Sequence, residues 1–141
     1  MTSQVSSQRE IVQTLYRLCA QGDWADAEAL LTEDFFVIEA GSLPFAGVYR
    51  GRGGLRQIYE IVFGSLDIAA AEIHEITTGE EYAVTVLDMV LAGDPPVRVP
   101  ITEVFRFRDG KVCEIRPHYF DAAPIVTAVA ARSARLSGPG R

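Results

Sequence analysis

The sequence predicts an α+β fold, a cone-shaped, curved antiparallel β-sheet wrapped around three N-terminal helices and open at one end. Two observations carry this. Apolar residues recur at helical spacing in the first part of the chain and again over residues 53–64, whereas from residue 67 onward they alternate with the period of a strand. The segments between these runs are short, so helices and strands have to pack on one another within a single domain. A sheet that curves around helices has an apolar interior with a mouth.

Ser7 followed three residues later by Glu10 is a capping box, and Ile11, Leu15, Leu18 and Cys19 recur at helical spacing until Gly22. A first helix over residues 7–21 follows, with Val12 and Tyr16 widening its buried face. Asp23 is expected to cap a second, short helix through Leu31, with Trp24, Ala27, Leu30 and Leu31 turned to the core. Residues 35–40 read as a strand that is apolar on both parities and carries Glu39 in line with Phe35 and Val37. Residues 41–54 are rich in glycine and read as a long loop across the mouth, before a third helix over 53–64. The glycines at 51, 53 and 54 have neither the spacing nor the preceding strand of a phosphate-binding loop. Two strands, 67–77 and 82–91, come next, and Asp88 interrupts an otherwise apolar and β-branched run in the second. A short helix is expected over 124–135, and a disordered tail over 137–141.

Residues 97–121 read as a long β-hairpin. Val97, Val99, Ile101, Phe105 and Phe107 share one parity, and Glu103 is the one charged residue among them. A carboxylate on a core-facing surface has to be paired, hydrogen-bonded or protonated, because isolated burial of its charge is very costly. A two-residue turn at Asp109-Gly110 would set Glu103 opposite Arg116. A three-residue loop, Arg108 to Gly110 with Gly110 left-handed, sets Phe105 opposite Cys113 and Glu103 opposite Ile115, apolar against apolar. The second register is expected. It places Cys113, Ile115, Tyr119 and Asp121 on the face of Ile101, Glu103 and Phe105, and sends Arg98, Arg106, Arg108, Glu114, Arg116 and His118 to the back.

The chain has 141 residues, enough for one domain with a sizeable core. Thirteen basic against nineteen acidic side chains give a net charge of −6, which argues against nucleic acid or an anionic membrane as partner. No run is apolar for long enough to span a bilayer, and the polar start, residues 1–4, does not read as a signal peptide, so a cytoplasmic protein is expected. Cys19 and Cys113 have no metal spacing and read as buried, reduced thiols; neither metal nor cofactor is expected.

Several stretches together resemble the nuclear-transport-factor-2-like superfamily, in its SnoaL-like and ketosteroid-isomerase-like branch. They are the helix leading to Gly22-Asp23, Leu31-Thr32-Glu33-Asp34 before a strand, Pro44 through Gly51 before the third helix, Phe105 through Val112, and His118-Tyr119-Phe120-Asp121. The resemblance runs from about Ile11 to Asp121 and implies one SnoaL-like domain over residues 1–136 with the cystatin-like, ketosteroid-isomerase-like α+β barrel. Similarity to the ketosteroid isomerases implies Glu39 as general base and Glu103, in Glu103-Val104-Phe105-Arg106-Phe107, as a protonated hydrogen-bond donor, with Tyr16 as the first-helix tyrosine. Both acids are Asp in those relatives and Glu here. Similarity to limonene-epoxide hydrolases and SnoaL-like polyketide cyclases implies a catalytic Asp121 at the end of Tyr119-Phe120-Asp121. The hydrolases also need an Arg two residues before an Asp, but Val86 stands there ahead of Asp88.

The function expected on these grounds is cofactor-independent acid/base chemistry on an apolar carbonyl compound, as in a polyketide- or steroid-like isomerase or cyclase. Asp121 or Glu39 would be the base and Glu103 the donor, assisted by Tyr16 or Tyr119, with Asp88, Phe105, Trp24 and Tyr59 lining the substrate site. Epoxide opening and a non-catalytic ligand-binding or dimerisation module are the alternatives. The expected partners are a small apolar substrate and a second copy of the chain, through the back of the sheet.

Overall fold

The computed structural model describes residues 7–138; residues 1–4, read above for a leader, and 139–141 of the expected tail lie outside them. The first helix, α1 (Gln8–Gln21), has the capping box written in its sequence: Ser7 Oγ accepts the Glu10 N–H at 3.1 Å and Glu10 Oε1 accepts the Ser7 N–H at 2.9 Å. It ends at Gly22, left-handed at φ 72°, whose N–H reaches the Cys19 carbonyl while that of Asp23 reaches Leu18. Helix α2 (Trp24–Glu28) is shorter than expected, and Asp23 makes no side-chain cap. The Leu30 carbonyl already accepts the Val112 N–H at 3.0 Å, so the chain has joined the sheet before the helical pattern runs out.

Strand β1 (Leu31–Glu39) therefore starts four residues ahead of the apolar run. The expected mouth loop contains a short strand, β2 (Gly47–Arg50), paired antiparallel to β1 with Glu39 opposite Gly47. Helix α3 (Gly53–Ser65) then packs closely on β2: a Cβ at Gly54 would lie 2.4 Å from the Tyr49 carbonyl oxygen, so only glycine fits. Strands β3 (Ile68–Thr78), β4 (Tyr82–Leu91), β5 (Val97–Arg108) and β6 (Lys111–Tyr119) and a last helix, α4 (Ala123–Leu136), complete the chain. Ser137 ends α4, its N–H bonded to the Ser133 carbonyl, so the expected tail begins as a helix end.

The six strands form one curved sheet in the order β2-β1-β6-β5-β4-β3. It is mixed rather than wholly antiparallel, because β1 runs parallel to β6. Helices α1 and α3 lie against its concave face, where Val12, Leu15, Leu55 and Ile58 meet Phe35, Val37, Val99, Ile101 and Phe105, each at most 4% exposed. No helix among the described residues is long and apolar enough to cross a membrane.

The β5–β6 turn corrects the expected register. Asp109 and Gly110, at φ 53° and 78°, form a two-residue turn with Arg108 opposite Lys111. One residue beyond Phe107–Val112 the ladder shifts, leaving Cys113 as the extra residue of a bulge. The bulge restores the parity that a two-residue turn would have reversed. Phe105 thus faces Ile115, Ile101 faces Tyr119, and Glu103 faces Pro117 rather than Ile115 or Arg116.

Candidate functional site

The concave face and the two longer N-terminal helices do not close completely. Between them lies a cavity of about 130 Å³ with almost wholly apolar walls, opening at the end of the cone. Its polar groups come from separate elements: Tyr16 and Cys19 from α1, Glu39 from β1, Tyr59 from α3, Glu103 from β5 and Tyr119 from β6. Each position follows from local structure. Tyr16 lies one turn beyond Val12 on the buried side of α1, Glu103 and Tyr119 keep the inward parity of their strands, and Glu39 is the last inward residue of β1.

The Tyr16 hydroxyl donates to Glu103 Oε1, and its ring meets Phe105 edge-on at 5.8 Å. Burial, and then the charge of Glu103, push the Tyr16 pKa up. Burial also raises that of Glu103, against the hydrogen bond from Tyr16, which favours the ionised carboxylate. Glu39 is 6% exposed, and its buried Oε1 has no hydrogen-bond partner. Burial and the neighbouring Glu103 charge lift its pKa to about 8, so at neutral pH it is mostly protonated. Tyr119, raised by burial and then by Glu39 and Glu103, completes a group in which every member prefers to be neutral. Cys19 is held at about 12, chiefly by burial, and is an inert thiol.

Of the residues expected in the site, Tyr16, Glu39, Glu103, Tyr119, Phe105 and Tyr59 line this cavity together. Three do not. Asp121 is exposed, and its Oδ1 accepts the Ala123 N–H at 3.0 Å at the start of α4; β6 ends at Tyr119, so strand alternation cannot carry the next inward position into the cone. Asp88 has the outward parity of β4 and sits on the convex face, 3.3 Å from His74 Nε2 and 3.5 Å from Arg98 Nη1. Trp24 packs edge-to-face on Tyr59, with centroids 5.4 Å apart, but stays behind that ring and outside the cavity wall. His118 and Arg116 are on the convex face, where Arg116 Nη2 bonds the buried Glu114 at 2.6 Å.

Thr85 is a residue that the sequence did not bring forward. It is fully buried opposite Glu103, its Oγ1 beside the Tyr16 hydroxyl and otherwise unpartnered. The one available signal was a hydroxyl on the inward parity of β4. Among the described residues, no group of His, Cys, Asp and Glu side chains could hold a metal ion.

A helix-lined cone built on a bent six-stranded sheet is the nuclear-transport-factor-2-like α+β class of fold. Within that class the chain belongs to the SnoaL-like domain family, whose profile matches residues 12–115. Solved structures agree on the fold. One is an NTF2-like protein of unknown function from Burkholderia pseudomallei, 17% identical, with TM-score 0.73 over 89% of this chain and 98% of the other. Another is described as a SnoaL-like polyketide cyclase from Mesorhizobium loti, 20% identical, with TM-score 0.63 over 81% and 100%. A protein of cystatin-like fold from Xanthomonas campestris, 16% identical, superimposes with TM-score 0.70 over 84% and 94%. A search of curated proteins finds no match to the chain.

Proposed function

We propose that the protein is a cofactor-independent enzyme that moves a proton on a small apolar carbonyl compound, isomerising it or closing a ring. The observation that carries this reading is the unpartnered Glu39 carboxyl, in the same apolar cavity as the Tyr16–Glu103 pair. Ionised Glu39 takes a proton from the carbon beside the carbonyl. The electron pair moves onto the carbonyl oxygen, where a protonated Glu103 and the Tyr16 hydroxyl, turned from Glu103 to the substrate, stabilise the enolate as donors. Glu39 then returns the proton to another carbon of the conjugated system, which is isomerisation, or the enolate carbon attacks a second carbonyl of the same substrate and the alkoxide oxygen formed there takes the proton back from Glu39, which is cyclisation. The family, which includes polyketide cyclases and isomerases, supports the reading; the Mesorhizobium loti relative described as a cyclase resembles this chain in fold alone. Epoxide opening loses ground, since Asp121, its nominated water activator, faces solvent outside the cavity.

The test is conversion of a one-ring β,γ-unsaturated ketone, 3-cyclohexenone, to the conjugated isomer, together with hydrogen exchange beside its carbonyl in deuterated water. Both are expected above the buffer rate and reduced on the order of 10²-fold or more by Glu39→Gln. Rates equal to buffer for this ketone and for cyclohexanone would refute the proposal.

A further inference from the structure

The cavity carries acids without counter-ions. Glu39 comes from β1, and the groups that face it are Glu103 from β5, Tyr119 from β6 and Tyr49 from β2, all of them acids or phenols. No Lys, Arg or His of the described residues lines the cavity, although the convex face has several cations. Glu39 Oε1 is buried with no donor, which is costly for a carboxyl in either protonation state. The walls beside it are aromatic, with Tyr16, Tyr59, Phe63, Phe105 and Tyr119 all contributing.

A ligand that satisfies such a site brings a donor and a positive charge. An ammonium group supplies both: it can hydrogen-bond to Oε1, it offsets the repulsion that opposes ionising Glu39 beside Glu103, and aromatic faces attract it. A carboxylate or phosphate would meet only acids. The protein as a whole, at −6, favours the same sign of ligand. Size narrows the class further. At about 130 Å³ the cavity is close to the roughly 150 Å³ that takes up one benzene molecule in an engineered apolar core. One ring fills it, and a short chain has to extend toward its open end.

We propose that this cavity is a binding site for a small one-ring primary amine, its ammonium group paired with Glu39 and Glu103 and its ring against the aromatic wall. Binding needs only the cavity and its carboxyls, so it does not rest on the proton-transfer chemistry above. An enzyme of ketones that also binds the amine would find it a competitive inhibitor; a protein that binds the amine and turns over no ketone would be an amine receptor.

Titration calorimetry of the wild-type protein with 2-phenylethylamine and with 2-phenylethanol, which have the same number of heavy atoms, tests this directly. At pH 7 the amine is expected to bind about tenfold more tightly than the alcohol or better, the gain of a charged over a neutral hydrogen bond. Buffers of different ionisation enthalpy should show release of nearly one proton per amine bound, because Glu39, protonated when the cavity is empty, ionises against the ammonium group. Glu39→Gln, checked for folding by circular dichroism, should lose both the preference and the proton. Equal affinities, no binding of either compound, or amine binding without proton release in the wild-type protein would each overturn the proposal, whatever the variant does.

Discussion

Tyr16 on α1 and Glu103 on β5, 87 positions apart in the chain, share a hydrogen bond inside the apolar cavity, with the phenol as donor. This bond joins the helix layer to the centre of the sheet at the one inward position of β5 that is not apolar. Its loss has two separable consequences. Tyr16→Phe leaves a half-buried carboxyl without its donor, expected to cost about 1 kcal/mol or more in urea unfolding. It also removes one of the two proposed enolate donors, for which a fall in kcat of about 10²-fold is expected, with KM for the ketone little changed. A variant destabilised to this degree but with unaltered kcat would make the pair purely structural.

The pH dependence of stability should run against the usual trend for carboxylates. Glu39 is pushed up from 4.5 to about 8 in the fold. Below 4.5 both states are protonated and the group contributes no difference. Between 4.5 and about 8 the unfolded chain has lost the proton and the native state keeps it, so the unfolded state binds fewer protons and stability falls as pH rises. The slope from this one group approaches about 1.4 kcal/mol per pH unit, and Glu103, also raised, adds to it in the same direction. Unfolding midpoints measured across pH 5–9 should therefore decline, and Glu39→Gln should flatten the decline. A base that works ionised predicts the opposite slope for rate: kcat/KM for the ketone should climb with pH and level off above about 8.

The parts of this molecule that were legible in the sequence are those written in short-range pattern. The capping box at Ser7 and Glu10, the period of α1 and the alternation of β4 and β5 each depend on residues a few positions apart. The flaw at Glu103 was legible for the same reason. What could not be read depends on partners distant in sequence. The parallel pairing of β1 with β6 ended α2 early, and β2 is a four-residue strand with no alternation of burial, held only by its pairing to β1. The Cys113 bulge is the instructive case. Turn chemistry at Asp109-Gly110 favoured two residues and the hydrophobic pattern favoured the other parity, and the chain satisfies both by inserting one residue into the ladder. Asp121 misled because alternation was carried two residues past the end of β6.

The convex face is expected to pair with a second copy of the chain. Its outward residues include Val84, Val86 and Val104 on β4 and β5, and Val48, Phe36 and Ile38 on β2 and β1, two apolar areas on either side of the charged outward row of β6. Light scattering during gel filtration should give a mass near twice 15.4 kDa. A charge set into the β4–β5 apolar area by Val86→Asp should shift that mass to the monomer while leaving circular dichroism unchanged. A wild-type protein that elutes as a monomer at high micromolar concentration would dispose of the pairing.

Asp121 separates the structural reading of this chain from the one its family resemblance suggested. In the fold the carboxylate is exposed and accepts the Ala123 N–H, a turn that leads into α4 and uses one side-chain oxygen and no charge. Asparagine retains that oxygen. Asp121→Asn is therefore expected to leave 3-cyclohexenone turnover within about twofold of wild type and stability within about 0.5 kcal/mol, as for an ordinary surface change. Asp121→Ala removes the acceptor and should cost about 0.5–2 kcal/mol, the range of a lost helix cap, again with turnover unchanged. A loss of turnover of 10²-fold or more in Asp121→Asn would mean that the segment from Phe120 to Ala122 folds inward when substrate binds, and Glu39 would then share or surrender its place as base.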